Sequence, residues 1–158
     1  MELRECYINE LVKALQTENA KNFMTGTVLE VLVEHKIRIA PEIVIRELKN
    51  SNLDYGWYYQ VIGMFDKNEK NLELLLALYR AKRKCTSIRI FMAKQLVEFA
   101  NEENYIRLFQ LFEKDEQPHI RMAACRIANK MSQQDLLMSF KNDKDGHIRK
   151  FVMKNTKV

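Results

Sequence analysis

Residues 114–128 read KDEQPHIRMAACRIA, and residues 142–156 read NDKDGHIRKFVMKNT. The triplet His-Ile-Arg stands at 119–121 and again at 147–149, and Ser87-Ile88-Arg89 is a looser third copy, at steps of 32 and 28 residues. Behind the first triplet, Ile120, Ala123, Ala124, Ile127 and Ala128 recur three and four residues apart. That spacing places them on one face of a helix. Outward from this stretch, a shift of 32 aligns Leu29, Val61, Ala93 and Cys125, and also Val44, Leu76, Leu108 and Phe140. Every member of both columns is apolar. One column falls in the first helix of each pair and the other in the second. Two helices per 32 residues, five times over, would need 160 residues, close to the 158 of the chain.

The remaining sequence agrees with an all-α chain. Leu3, Tyr7, Leu11 and Leu15 form one helical stripe, and Leu72, Leu75, Leu76 and Tyr79 form another. The chain contains only 4 Gly and 2 Pro, too few for the frequent turns of a sheet-rich fold. About ten helices are expected, at 2–16, 20–36, 41–50, 54–66, 70–82, 86–100, 103–113, 118–131, 132–141 and 145–156. Pro41 suits the first turn of the third. Thr86 or Ser87 is expected to cap the sixth and Ser132 the ninth, with Asp135 adding a weak box-like contact. Asp145–Gly146 breaks the chain before the last. Length and pattern give one domain over residues 1–158: a short α-solenoid of about five helix pairs, each burying its apolar face only against its neighbours.

The fourth and fifth units resemble HEAT repeats. Asp115 precedes Ile120-Arg121 by five and six residues, and Asp143 precedes Ile148-Arg149 by the same steps. Ala123, Ala124, Phe151 and Val152 follow. The third unit keeps Ile88-Arg89 but has Arg83 at the Asp position, and the second has Ser51 and Trp57 in the corresponding places. The resemblance implies a ladder in which these Asp and Arg side chains link successive units, so Arg89, Arg121 and Arg149 are read as structural and not as a phosphate-binding row. It also implies that the α-solenoid is right-handed and that the second helix of each pair lines a concave face.

On those second helices, the residue after the Arg runs Tyr58, Ile90, Met122, Lys150, and four residues on the chain runs Ile62, Lys94, Arg126, Lys154. Both columns lie off the apolar stripe and are expected to point away from the core. Apolar and aromatic groups beside cations suit a protein interface, so Tyr58, Ile90, Met122, Lys94, Arg126, Lys150 and Lys154 are the candidate partner-binding residues. Of the consecutive Trp57, Tyr58 and Tyr59, at least one is expected to be exposed. The charge is uneven. Residues 1–79 hold 9 Lys+Arg against 12 Asp+Glu, net −3, whereas residues 80–158 hold 17 against 9, net +8. The densest piece is Tyr79-Arg80-Ala81-Lys82-Arg83-Lys84. Such an excess suits an acidic protein surface, nucleic acid or an anionic membrane.

Enzyme chemistry finds little support. No P-loop, GxSxG or HExxH occurs. His35, His119 and His147 are not at metal-ligand spacing, no CxxC is present, and neither a metal nor a cofactor is expected. Cys125 sits in an apolar column and reads as a core thiol. Cys6, Cys85 and Cys125, odd in number and far apart, suit reduced thiols in a cytoplasm. No run approaches the roughly 18 apolar residues of a membrane span, and the N-terminus is too charged for a signal peptide. The expected function is a non-catalytic scaffold that binds a protein partner, acidic in character, along a concave HEAT-like face. The alternative is nucleic-acid binding, in the manner of the HEAT-like glycosylases that act on alkylated DNA bases. A soluble domain of a membrane-associated protein is a weaker third reading.

Overall fold

The computed structural model describes residues 9, 10, 13, 29–50 and 56–156, with only the backbone at 50 and 56–58. Among them every regular element is helical. After a helical stretch at 29–34 come α1 (Pro41–Asn50), a 3-10 helix (Gly56–Met64), α2 (Glu69–Ala81), α3 (Thr86–Val97), α4 (Tyr105–Phe112), α5 (Pro118–Lys130), α6 (Gln134–Met138) and α7 (Gly146–Asn155). The chain divides into two compact units, residues 1–92 and 93–158, with the division inside α3. In the first, α1 packs on α2 and touches the 3-10 helix; in the second, α5 is central and packs against α4, α6 and α7. The stripe Leu3, Tyr7, Leu11 and Leu15, the side chains of Trp57 and Tyr58, and Cys6 lie outside the described residues.

Both 32-residue columns are buried at every position. Leu29, Val61, Ala93 and Cys125 are at most 1 % exposed, and Val44, Leu76, Leu108 and Phe140 at most 6 %. Ile88, Ile120 and Ile148 are fully buried. Backbone details recur with a similar step. The helical stretch at 29–34 and α5 both end in a left-handed residue, Lys36 (φ 53°) and Ser132 (φ 55°), 96 residues apart. At each, the next amide reaches back five residues, Ile37 N–H to the Leu32 carbonyl and Gln133 N–H to the Ala128 carbonyl, both at 2.8 Å. This Schellman closure satisfies carbonyls that the helix leaves open. A second recurrence is Asn-x-x-Asn. Asn68 Oδ1 accepts from Asn71 N–H and Asn101 Oδ1 from Asn104 N–H. The buried Asn71 and Asn104 then donate through Nδ2 to the carbonyls of Asp66 and Phe99, both at 2.9 Å.

Several expectations are corrected. Ser132 ends α5 in the left-handed conformation and does not cap the next helix; α6 starts after Gln133, whose side chain makes no cap bond, and is only 5 residues long. Thr86 is already helical, and the Cys85 carbonyl accepts from Arg89 N–H at the start of α3. The element expected at 54–66 is wound as a 3-10 helix over Gly56–Met64. A three-residue period stacks side chains at i and i+3, so Tyr59 and Ile62, followed by Phe65, share one buried ridge. Ile62, expected to face outward, is fully buried for this reason. Asp145 does cap α7: its Oδ1 accepts from His147 N–H at 2.8 Å and Ile148 N–H at 3.2 Å.

Candidate functional site

A groove of about 390 Å³ opens in the second unit along α3, α5 and α7. Its apolar lining comes from Val97, Met122, Ala123 and Ile148. Lys94 and Arg126 bring basic side chains, while Glu98 and Asp145 bring acidic ones. Asp145 is already engaged in capping α7, so it is less available to a ligand than Glu98. His119 and His147, the first members of the repeated triplet, also line the groove.

The framework beneath is fixed by the Asp–Arg pairing. Arg121 Nε and Nη2 donate to Asp143 Oδ2 and Oδ1, each at 2.9 Å, across 22 residues. Its Nη1 donates to the carbonyls of Asp115 and Glu116, also at 2.9 Å. The carboxylate of Asp115 instead accepts from Gln117 N–H, and Arg149 Nη1 donates to the Asp143 carbonyl at 2.6 Å. The arginine therefore ties the turn before its own helix to the turn before the next. Both side chains of the pair are less than a tenth exposed. The hydrogen bonds to Asp143 raise the Arg121 guanidinium further above its ordinary range, against the opposing effect of burial. Burial pushes the Asp143 carboxyl up, but bonds from Arg121 and from Asp145 N–H outweigh it and hold the carboxyl below its ordinary value. The buried Cys125 thiol is pushed up to about 12, chiefly by burial and then by the Asp143 charge. A thiol so protonated and enclosed is no nucleophile.

Of the candidate residues, Lys94, Met122 and Arg126 come together in the groove. Arg126 also lies over the Phe151 ring, 5.9 Å from its centroid, a cation–π distance. Lys150 and Lys154 are exposed on α7 but do not line the groove, and Ile90 belongs to the first unit. Ile90 and Met122 are half-buried, because they flank the apolar stripe and do not stand opposite it. Tyr58's side chain lies outside the described residues; its neighbour Tyr59 is fully buried. Sequence reasoning missed His119 and His147 as lining residues, although their recurrence at a 28-residue step was the signal that marked them. Comparison with protein-family models, with curated proteins and with solved structures finds no match to the chain. Among the described residues no helix is long and apolar enough to cross a membrane, and no group of three or more His, Cys, Asp or Glu could hold a metal ion.

Proposed function

We propose that this chain is a non-catalytic protein-interaction module, built as a short HEAT-like α-solenoid whose second helices present a partner-binding face. The observation that carries the reading is the groove that gathers Lys94 from α3 and Met122 and Arg126 from α5 around an apolar lining. Half-buried Met122, set over the buried Val97, Ala123 and Ile148 and flanked by an Arg and a Lys, has the composition of an interface centre with a polar rim. A partner segment with one large apolar side chain and flanking carboxylates suits both halves of that surface. The Arg121–Asp143 link supports the solenoid reading, since it joins consecutive turns through one bidentate pair. It also ties α5 to the turn before α7, two of the elements that line the groove.

The test is capture of partners from source-cell extract on the immobilised chain, with and without nuclease. The expected result is a protein that survives nuclease, is retained at moderate salt and is lost from a Met122→Asp variant. Recovery that vanishes with nuclease, or that is unchanged in the variant, contradicts the reading.

A further inference from the structure

The last turn of α2 and the link to α3 carry Arg80, Lys82, Arg83 and Lys84 within five residues. Backbone hydrogen bonds fix it: Lys82 N–H to the Leu78 carbonyl at 3.0 Å, Arg83 N–H to the Arg80 carbonyl at 3.4 Å, and Cys85 N–H to the Lys82 carbonyl at 2.9 Å. These residues, with Ala81 and Cys85, line a shallow hollow of about 720 Å³ in the first unit, and no acidic residue lines it. The first turn of α3 carries no acid either. Arg80, Arg83 and Lys84 are exposed, and among the described residues none of the three is in an ion pair. A cation at the end of α2 complements the helix dipole, but that terminus amounts to only about half an elementary charge. The charge of Arg80, Arg83 and Lys84 is therefore mostly left over.

We propose that this link is a second binding surface, separate from the groove, and that it takes the phosphate backbone of duplex nucleic acid without reading its sequence. Three features select that ligand. The lining offers no apolar side chain larger than Ala or Cys, so an acidic protein would find no anchor of the kind that centres protein interfaces. The same lack leaves nothing to insert into a lipid surface. No aromatic ring lines the hollow, so nothing there favours unstacked bases over a duplex. What remains is a cluster of cations on a hydrogen-bonded stretch of backbone. Such a cluster exchanges with the condensed counterions of a duplex, which carries one charge per about 1.7 Å of its axis.

The experiment uses the whole chain and a fluorescent random-sequence DNA duplex, titrated at several salt concentrations. One variant combines Arg80→Gln, Arg83→Gln and Lys84→Gln. A control removes the same charge elsewhere through Lys114→Gln, Lys141→Gln and Lys144→Gln, all exposed and all outside both surfaces. Far-UV circular dichroism confirms that both variants are folded. The wild type is expected to bind at low salt. With three phosphate contacts removed, the first variant should bind at least about tenfold more weakly, with a log–log salt slope shallower by about 2–3. The control should stay within about threefold of wild type. No binding by the wild type, or equal losses in the two variants, overturns the proposal. So does displacement of the duplex by polyglutamate at equal charge, or tighter binding to vesicles containing anionic lipid.

Discussion

At the residue scale, the Arg121–Asp143 pair separates structural charge from surface charge. Arg121→Ala leaves Asp143 buried without its counter-ion and is expected to cost about 3–5 kcal/mol in denaturant unfolding. Lys94→Ala, at an exposed position with no such partner, should stay within about 0.5 kcal/mol. The pair also sets a pH dependence. Folding lowers the Asp143 carboxyl, so its stabilisation is complete above the unfolded value of about 3.9 and is lost as pH falls through the lower folded value. Asp143→Asn should therefore be less stable than wild type near neutrality, and the gap should close below about pH 4. A gap that persists unchanged into acid would mean the charge on Asp143 is not what stabilises the fold. The two described cysteines should differ as well. Cys125, buried and raised to about 12, should resist alkylation until the chain unfolds, whereas half-buried Cys85 should label in the native state, as peptide mapping by mass spectrometry would show. The pair was legible in sequence because Asp and Arg recur at fixed steps from Ile120 and Ile148. Its bond pattern was not: whether Arg121 reaches the carboxylate of Asp115 or that of Asp143 depends on how neighbouring turns approach.

At the element scale, helices of ordinary length among the described residues from 41 onward fell within a few residues of their expected spans, because three- and four-residue apolar spacing directly specifies a buried face. Pro41 and Asp145 marked their helix starts through local chemistry. The short or irregular elements were harder to read. Residues 132–141 hold apolar groups at helical spacing, but the left-handed Ser132 uses up the expected cap and leaves room for only the 5 residues of α6. The 3-10 winding of Gly56–Met64 changes the period from 3.6 to 3.0, which no α-helical pattern anticipates. These caps make a prediction. A non-glycine residue in the left-handed region is disfavoured by about 1–2 kcal/mol, and glycine returns part of that gain through its greater freedom when unfolded. Ser132→Gly should therefore raise stability by about 0.5–1 kcal/mol, and Ser132→Val should lower it. If glycine destabilises here, Ser132 is not held left-handed in solution. Burial also grades the effect of truncating apolar side chains. Ile120→Ala should cost about 2–5 kcal/mol. Phe151, half-buried beneath Arg126, should cost less than its size suggests, because the buried neighbour on α7 is Val152.

At the scale of the whole molecule, the 32-residue step predicted burial at positions far apart in sequence, and each described member of the two columns is buried. The groove was only partly legible. Helical spacing identified Lys94, Met122 and Arg126 as neighbours, but it could not show that His119, His147 and the end of α3 close around them, because that depends on the offset between packed helices. The chain's net charge of +5 hid two different surfaces: a mixed groove with an apolar lining and a purely basic link at residues 80–84. The central claim is that the groove holds a protein. The most direct measurement places a photo-crosslinking amino acid at position 122, inside the groove, and in a second chain at position 106, where Ile106 is 53 % exposed and does not line it. After irradiation in the source cell, the account predicts a discrete protein adduct from position 122 and none from position 106. Adducts of equal yield at both positions, or an adduct at 122 that nuclease removes, would contradict it.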